Sequence, residues 1–155
     1  MLRDLLGQAR RDGSDKAGNH RSRSRDRKVY GRWGVNETVE VKTCDLEGPA
    51  LDWAVAVIEG YDLMKHPFRR AYIPNFGYCD YSPSTNWTFG GPLITKFLIE
   101  FRVEHERTIC SYLCDANGMY ISDGSYGDTY LIAACRAIVT DKLGETVSVP
   151  AELIK

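Results

Sequence analysis

Two apolar stretches with helical spacing bracket a region whose hydrophobic residues alternate, and that order restricts the fold more than any other feature. In the first, residues 46–60 ("LEGPALDWAVAVIEG"), Leu51, Ala54, Val55 and Ile58 recur along one helix face, with Asp52, Ala56 and Glu59 on the outer side. Asp45 stands before this stretch, Pro49 suits a first turn and Gly60 suits a left-handed stop. In the second, residues 129–144, Leu131, Ile132, Cys135, Ile138 and Val139 point inward, with Asp128 as the predicted cap and Gly144 as the end. Between them Phe97, Ile99, Phe101 and Val103 alternate, as do Ile109, Ser111 and Leu113 out of phase with their neighbours, which reads as antiparallel strands. "DANG" supplies a tight reversal into "MYI", and "TVEVKT" and "TVSVP" read as short outer strands. Residues 61–90 read as mostly irregular, followed by a short helix after "GGP" with Pro92 in its first turn. Neighbouring strands placed between helices argue for an α+β fold. The expectation is a small antiparallel or mixed sheet packed against two main helices in a single domain.

Residues 1–38 belong to a different regime. They hold ten Lys/Arg and five Asp/Glu, whereas residues 39–155 hold ten Lys/Arg and sixteen Asp/Glu; an arm of +5 thus precedes a body of −6 within a net charge of −1. "RRDGSDKAGNHRSRSRDRK" has too few apolar residues to offset the entropy of ordering it, so a disordered extension is expected ahead of a domain spanning 39–155. Two readings of the arm stay open. Its spaced arginines suit phosphate contacts, or it is an extension without a binding role, read from a start codon upstream of a native start near Val35 or Val39. The acidic body is a poor holder of phosphate backbones, so nucleic acid is expected only through residues 1–38.

No charged-then-apolar leader opens the chain, and no apolar run approaches the ~20 residues that cross a bilayer. The expectation is a cytoplasmic protein with no membrane partner and reduced thiols. Cys44, Cys79, Cys110, Cys114 and Cys135 lack the paired spacing of a zinc site, so neither a disulfide nor a metal is expected. Cys110 and Cys114 on a strand face, and Cys135 on the inward helix stripe, read as small buried hydrophobes.

The familiar phosphate, dinucleotide, zinc-protease and calcium motifs are missing, so no cofactor and no catalytic residue is assigned. His66, Asp80 and Ser82 do not make a nucleophilic triad. No strained elbow presents Ser82, and the following Pro83 gives it a turn role. Gly90 and Gly91 either offer amides to an anion at a helix start or form a sharp entry. Trp53 reads as half-buried, with its indole N–H toward a partner. Arg136 shares a helix face with Thr129, Ala133 and Thr140, where it either pairs with a carboxylate such as Asp52 or clamps an acidic ligand group.

Residues 81–92 ("YSPSTNWTFGGP") interleave Tyr81, Trp87 and Phe89 with Ser82, Ser84, Thr85 and Asn86. Recognition loops use that mixture of rigid rings and adaptable hydrogen-bonding groups, and so does a loop that caps a core. An ordered loop is expected here, with Trp87 buried and Tyr81 at the rim.

Three stretches carry a family resemblance: "VKTCDLEGPALDWAVAVIEG", "YSPSTNWTFGGPLI" and "LIAACRAIVTDKLGETVSVPAEL". Together, over about residues 39–153, they resemble the NinX-like proteins of lambdoid phages and prophages, the second stretch most specifically. The layout is similar, more weakly, to the phage ABA sandwich domain. The resemblance implies helices packed on an antiparallel sheet, a dispensable accessory role inside the bacterial cell, and no catalytic residues. Residues and resemblance together give the expectation of a phage- or prophage-encoded, non-enzymatic protein that binds a host or phage protein or a small ligand. The residues nominated for that contact are Asp52, Trp53, Tyr81, Ser82, Ser84, Trp87, Gly90, Gly91 and Arg136. A small nucleotide-binding protein or enzyme acting at the same cleft is the alternative, and nucleic-acid binding through the arm is a second.

Overall fold

In the computed structural model of the chain, residues 37–63 and 68–154 are described, all within a unit that begins at Glu37. The expectations for residues 1–36 and for His66 lie outside the described residues. β1 (Thr38–Lys42) pairs antiparallel with β7 (Thr146–Pro150), in a register running from Thr38 opposite Pro150 to Lys42 opposite Thr146. Val147 and Val149 bury one face of this ribbon.

A 3-10 turn over Thr43–Asp45 leads into α1 (Gly48–Glu59), with Pro49 in its first turn and Gly60 closing it at φ 76. The N-cap is Glu47. Asp45, the predicted cap, lies two residues too early, because Thr43–Asp45 forms its own tight turn. The predicted two-faced character of α1 is also corrected: every residue from Ala50 to Ala56 is buried, Asp52 and Ala56 included. The helix packs on both α3 (Tyr130–Leu143) and β7, so little of its circumference is left to solvent.

Residues 61–90 are more regular than expected. β2 (Arg70–Ile73) and β3 (Gly77–Asp80) form a hairpin whose turn uses Asn75 at φ 73 and Gly77 at φ 74. Ala71 and Ile73 face the core.

α2 (Trp87–Lys96) starts before the predicted helix. The Asn86 side chain accepts a hydrogen bond from the Thr88 amide at 2.9 Å and sets the start there, which leaves Pro92 inside the helix. Proline removes the hydrogen bond to the Thr88 carbonyl, a rung that water can replace because Thr88 is exposed.

β4 (Ile99–His105), β5 (Thr108–Leu113) and β6 (Ser125–Gly127) form an antiparallel sheet in that order. Asp115 Oδ1 accepts from the amides of Asn117 and Met119 and makes the predicted reversal, but "MYI" contributes only an isolated bridge between Tyr120 and Cys114. Thr129 caps α3 by accepting from the Ile132 amide, one residue after the predicted Asp128. The Ser111 hydroxyl donates to the Ala133 carbonyl at 2.6 Å and fastens β5 to α3. The described residues thus form an α+β domain, with their strands divided among three small antiparallel sheets and with three α-helices.

Candidate functional site

The 81–92 segment is held from below by α1. The Ser84 amide donates to Asp52 Oδ1 at 2.8 Å, and the backbone of Tyr81 donates to the Arg69 carbonyl at 2.7 Å. Ser82 plays the turn role expected of it, its carbonyl accepting from the amides of Thr85 and Asn86. Gly90 is pressed against the Pro83 carbonyl, and a Cβ there would also lie 2.6 Å from Leu131 Cδ2. Only a residue without a side chain fits that crossing.

Around these contacts lies a buried set of ionisable groups. Burial pushes the Asp52 carboxyl up to about 6, outweighing the amide and hydroxyl of Ser84 and the charge of Arg69, which all favour its ionised form. Burial likewise raises the Tyr81 phenol, helped by the Glu59 charge, and raises the Cys135 thiol, helped by Asp52. The Ser84 hydroxyl lies near enough to influence the Asp52 carboxylate, yet makes no hydrogen bond of good geometry to a described group. Asp52 and Tyr81 are 9% and 4% exposed. That is too little surface to receive a substrate, so their chemistry here is structural.

Several nominated residues stand elsewhere than expected. Trp87 and Tyr81 exchange places: Trp87 is 58% exposed, and Tyr81 is inside, against Tyr61 at 5.0 Å and Phe89 at 5.4 Å between ring centres. The Asn86 cap places Trp87 first in α2, projecting outward, whereas Tyr81 follows directly from β3 with its ring on the core side. Trp53 is fully buried and not half-buried. Gly90 and Gly91 lie within α2, so they do not form a helix entry that could offer free amides; the Gly90 N–H is bonded to the Asn86 carbonyl. Asp80 forms ion pairs with Arg69 and Arg70 at 3.5 and 3.9 Å.

What the segment presents outward is aromatic. Phe76, at the tip of the β2–β3 hairpin and 56% exposed, meets Phe89 edge-on at 5.5 Å, and Trp87, the first residue of α2, is exposed as well. On the same hairpin Tyr72 and Tyr78, both exposed, pair across the strands at 5.5 Å. Sequence reasoning missed the hairpin rings. The alternation in "RAYIPNFGYCD" around a Pro-Asn-Phe-Gly turn was the available signal.

Arg136 does not join Asp52. Its Nε donates to the Leu46 carbonyl and its Nη1 to the Tyr126 carbonyl, each at 2.9 Å, and no described carboxylate lies within ion-pair distance. It lines a cavity of about 370 Å³ together with Lys42, Tyr126, Thr140, Glu145 and Thr146, among others. Apart from Arg136, no residue of that cavity was nominated from the sequence. A second cavity, of about 560 Å³, lies between the start of α1 and Leu153, Ile154 and Ile132. Neither contains a residue of the 81–92 segment. Among the described residues no group of three His, Cys, Asp or Glu could hold a metal, the five cysteines are unpaired, and no helix is long and apolar enough to cross a membrane.

Compared with known proteins, residues 42–142 match the sequence profile of the family described as bacteriophage P22, NinX. The match runs from the end of β1 through α3 and so includes Asp52, the whole 81–92 segment and Arg136. No curated protein matches the chain.

Proposed function

The chain belongs to the bacteriophage P22 NinX family, and from that premise we propose that it is an accessory protein of a phage or prophage that works by binding another protein, not by catalysis. Its setting is the cytoplasm of the bacterial host. The contact surface is the exposed aromatic group of α2 and the adjoining hairpin, led by Trp87 and Phe76. The observation that carries this reading is the solvent exposure of those two rings on a framework fixed by Asp52, Tyr81 and Phe89. The Phe76 ring, already held against Phe89, loses little entropy on contact, and exposed apolar surface on so anchored a segment suits a partner. Thr85, Asn86 and Thr88 surround them with exposed polar groups. In this reading Asp52, Trp53, Tyr81, Ser84 and Gly90 shape the segment from inside and make no contact with the partner. The alternative of an enzyme at the same place has less support, because its one buried carboxylate with a raised pKa is closed off from solvent.

The test is a comparison of the full chain with Trp87→Ala and Phe76→Ala variants in phage-infected cells. A protein that cross-links to the parent through this face should be lost from both variants, while their melting temperatures stay within ~2–4 °C of the parent. Cross-linking of the same partner at parental yield in both variants would sink the proposal.

A further inference from the structure

The cavity beside Arg136 is built from parts of the chain remote from one another. The β1–β7 register puts Lys42 opposite Thr146. The Thr43 amide donates to the Glu145 carbonyl at 2.8 Å and the Thr43 hydroxyl to the Gly144 carbonyl at 2.7 Å, locking that ribbon end to the C-terminus of α3. Thr140 and Arg136 project from the last turns of α3, one turn apart. Tyr126 and Gly124 supply the remaining wall. Gly124 stands at φ 95, and a Cβ on it would lie 2.8 Å from the Tyr112 ring and 3.0 Å from Cys110 Sγ, so this wall is pinned to the sheet.

The chemistry of the lining is one-sided. The Arg136 guanidinium spends Nε and Nη1 on two carbonyls, which fix its plane and leave Nη2 uncommitted. No described carboxylate pairs with Arg136 or with Lys42. Two cations therefore share one cavity on a body that is acidic overall. The hydroxyls of Thr140 and Thr146 add donors, Glu145 is the acidic member, and Tyr126 offers a half-exposed ring. Oriented Arg donors, a Lys charge and hydroxyls suit a phosphate. A flat ring and one carboxylate suit a base and its hydroxyl-bearing sugar. A volume of about 370 Å³ lies within the range that holds a small ligand.

We infer that this cavity is a binding site for a mononucleotide, with the phosphate on Arg136, Lys42 and the threonine hydroxyls and the base against Tyr126. The site is separate from the aromatic surface of α2 and stands or falls independently of it.

Calorimetric titration of the full chain with adenosine and uridine monophosphates, inorganic phosphate and adenosine tests it. A mononucleotide should bind with Kd below ~1 mM, and phosphate alone and nucleoside alone should each bind at least ~10-fold more weakly. Because Arg136 also holds two carbonyls, the variants to use are Lys42→Gln and Thr140→Met, whose positions are exposed and half-buried. Each should weaken mononucleotide binding by ~10-fold or more with unchanged melting. No binding of either mononucleotide overturns the inference. So does phosphate or adenosine binding as tightly as the mononucleotide. Affinity that is indifferent to both variants also overturns it, and would instead place binding on the basic residues before Glu37.

Discussion

The amide of Ser84 donates to Asp52 Oδ1 across 2.8 Å, joining residues 32 apart in the chain and fastening the 81–92 segment to the middle of α1. Burial of that carboxyl outweighs the amide's preference for the ionised form and raises its pKa to about 6. The same contact thus positions a surface segment and ties its stability to pH.

Burial lifts Asp52 from 3.8 to about 6, so over that interval the folded chain holds a proton that the unfolded chain has released. The contribution is full below 3.8 and is lost as pH rises through about 6, on the order of 3 kcal/mol in all. Asp52→Asn keeps the acceptor for Ser84 and removes the titration. Urea unfolding at about pH 4 and about pH 7 should show the variant gaining on the parent as pH rises. Parallel stabilities at the two pH values would show that Asp52 ionises like an exposed carboxyl.

Tyr81 and Trp87 should respond oppositely to truncation. Tyr81→Ala empties a core position and should cost about 3–5 kcal/mol in chemical denaturation. Trp87→Ala removes a mostly solvated ring and should change stability by less than ~1 kcal/mol. A Trp87 variant as damaged as the Tyr81 variant would place the indole in the core.

The adjacent glycines make a sharper pair. Gly90→Ala forces a methyl into the Pro83 carbonyl and Leu131, so it should be strongly destabilising, by ~2 kcal/mol or more. A Cβ on Gly91 meets only Trp87 Cε3, at 3.7 Å, and its helical backbone favours alanine by ~0.5–1 kcal/mol. Thermal melting of the two variants should move in opposite directions, and equal losses would refute the close packing argued for Gly90.

Lys96 Nζ reaches Glu59 Oε2 at 2.7 Å, and the Glu59 side chain is only 8% exposed, with Oε1 buried and unpartnered among the described residues. Lys96→Met leaves that carboxylate without its cation. Because Lys96 itself is largely exposed, the loss should be only ~1–2 kcal/mol. Adding Glu59→Gln in the Lys96→Met background should recover most of it in a double-mutant cycle, and an additive result would mean the two residues do not interact.

Much of the architecture was legible in local patterns. α1 and α3 follow from apolar spacing closed by Gly60 and Gly144, and β4 follows from the alternation of Ile99, Phe101 and Val103, with β5 beside it. The β2–β3 hairpin escaped because its strands are short and its turn uses Asn75 in a left-handed conformation, where a glycine is the commoner signal. The start of α2 escaped because Pro92 and two glycines outweighed the Asn86 cap in a reading based on breakers.

The sequence by itself determined most of the helices and strands, α1, α3, β1, β4, β5 and β7 among them, since backbone hydrogen bonding and side-chain period act over a few residues. It also determined that the 81–92 segment would be ordered, through its prolines, its ring content and the Ser82 turn. Only the tertiary structure decided which rings of that segment face water, because Tyr81 and Trp87 are equally apolar to a local reading. Their burial depends on where α1 and α3 stand beneath them. It alone decided, too, that Arg136 meets the carbonyls of Leu46 and Tyr126 and not Asp52, and that Lys42 and Thr140 share a cavity. The first follows from the packing of α3 against β6 and the start of α1, and the second from the pairing of β1 with β7, long-range contacts that no local pattern encodes.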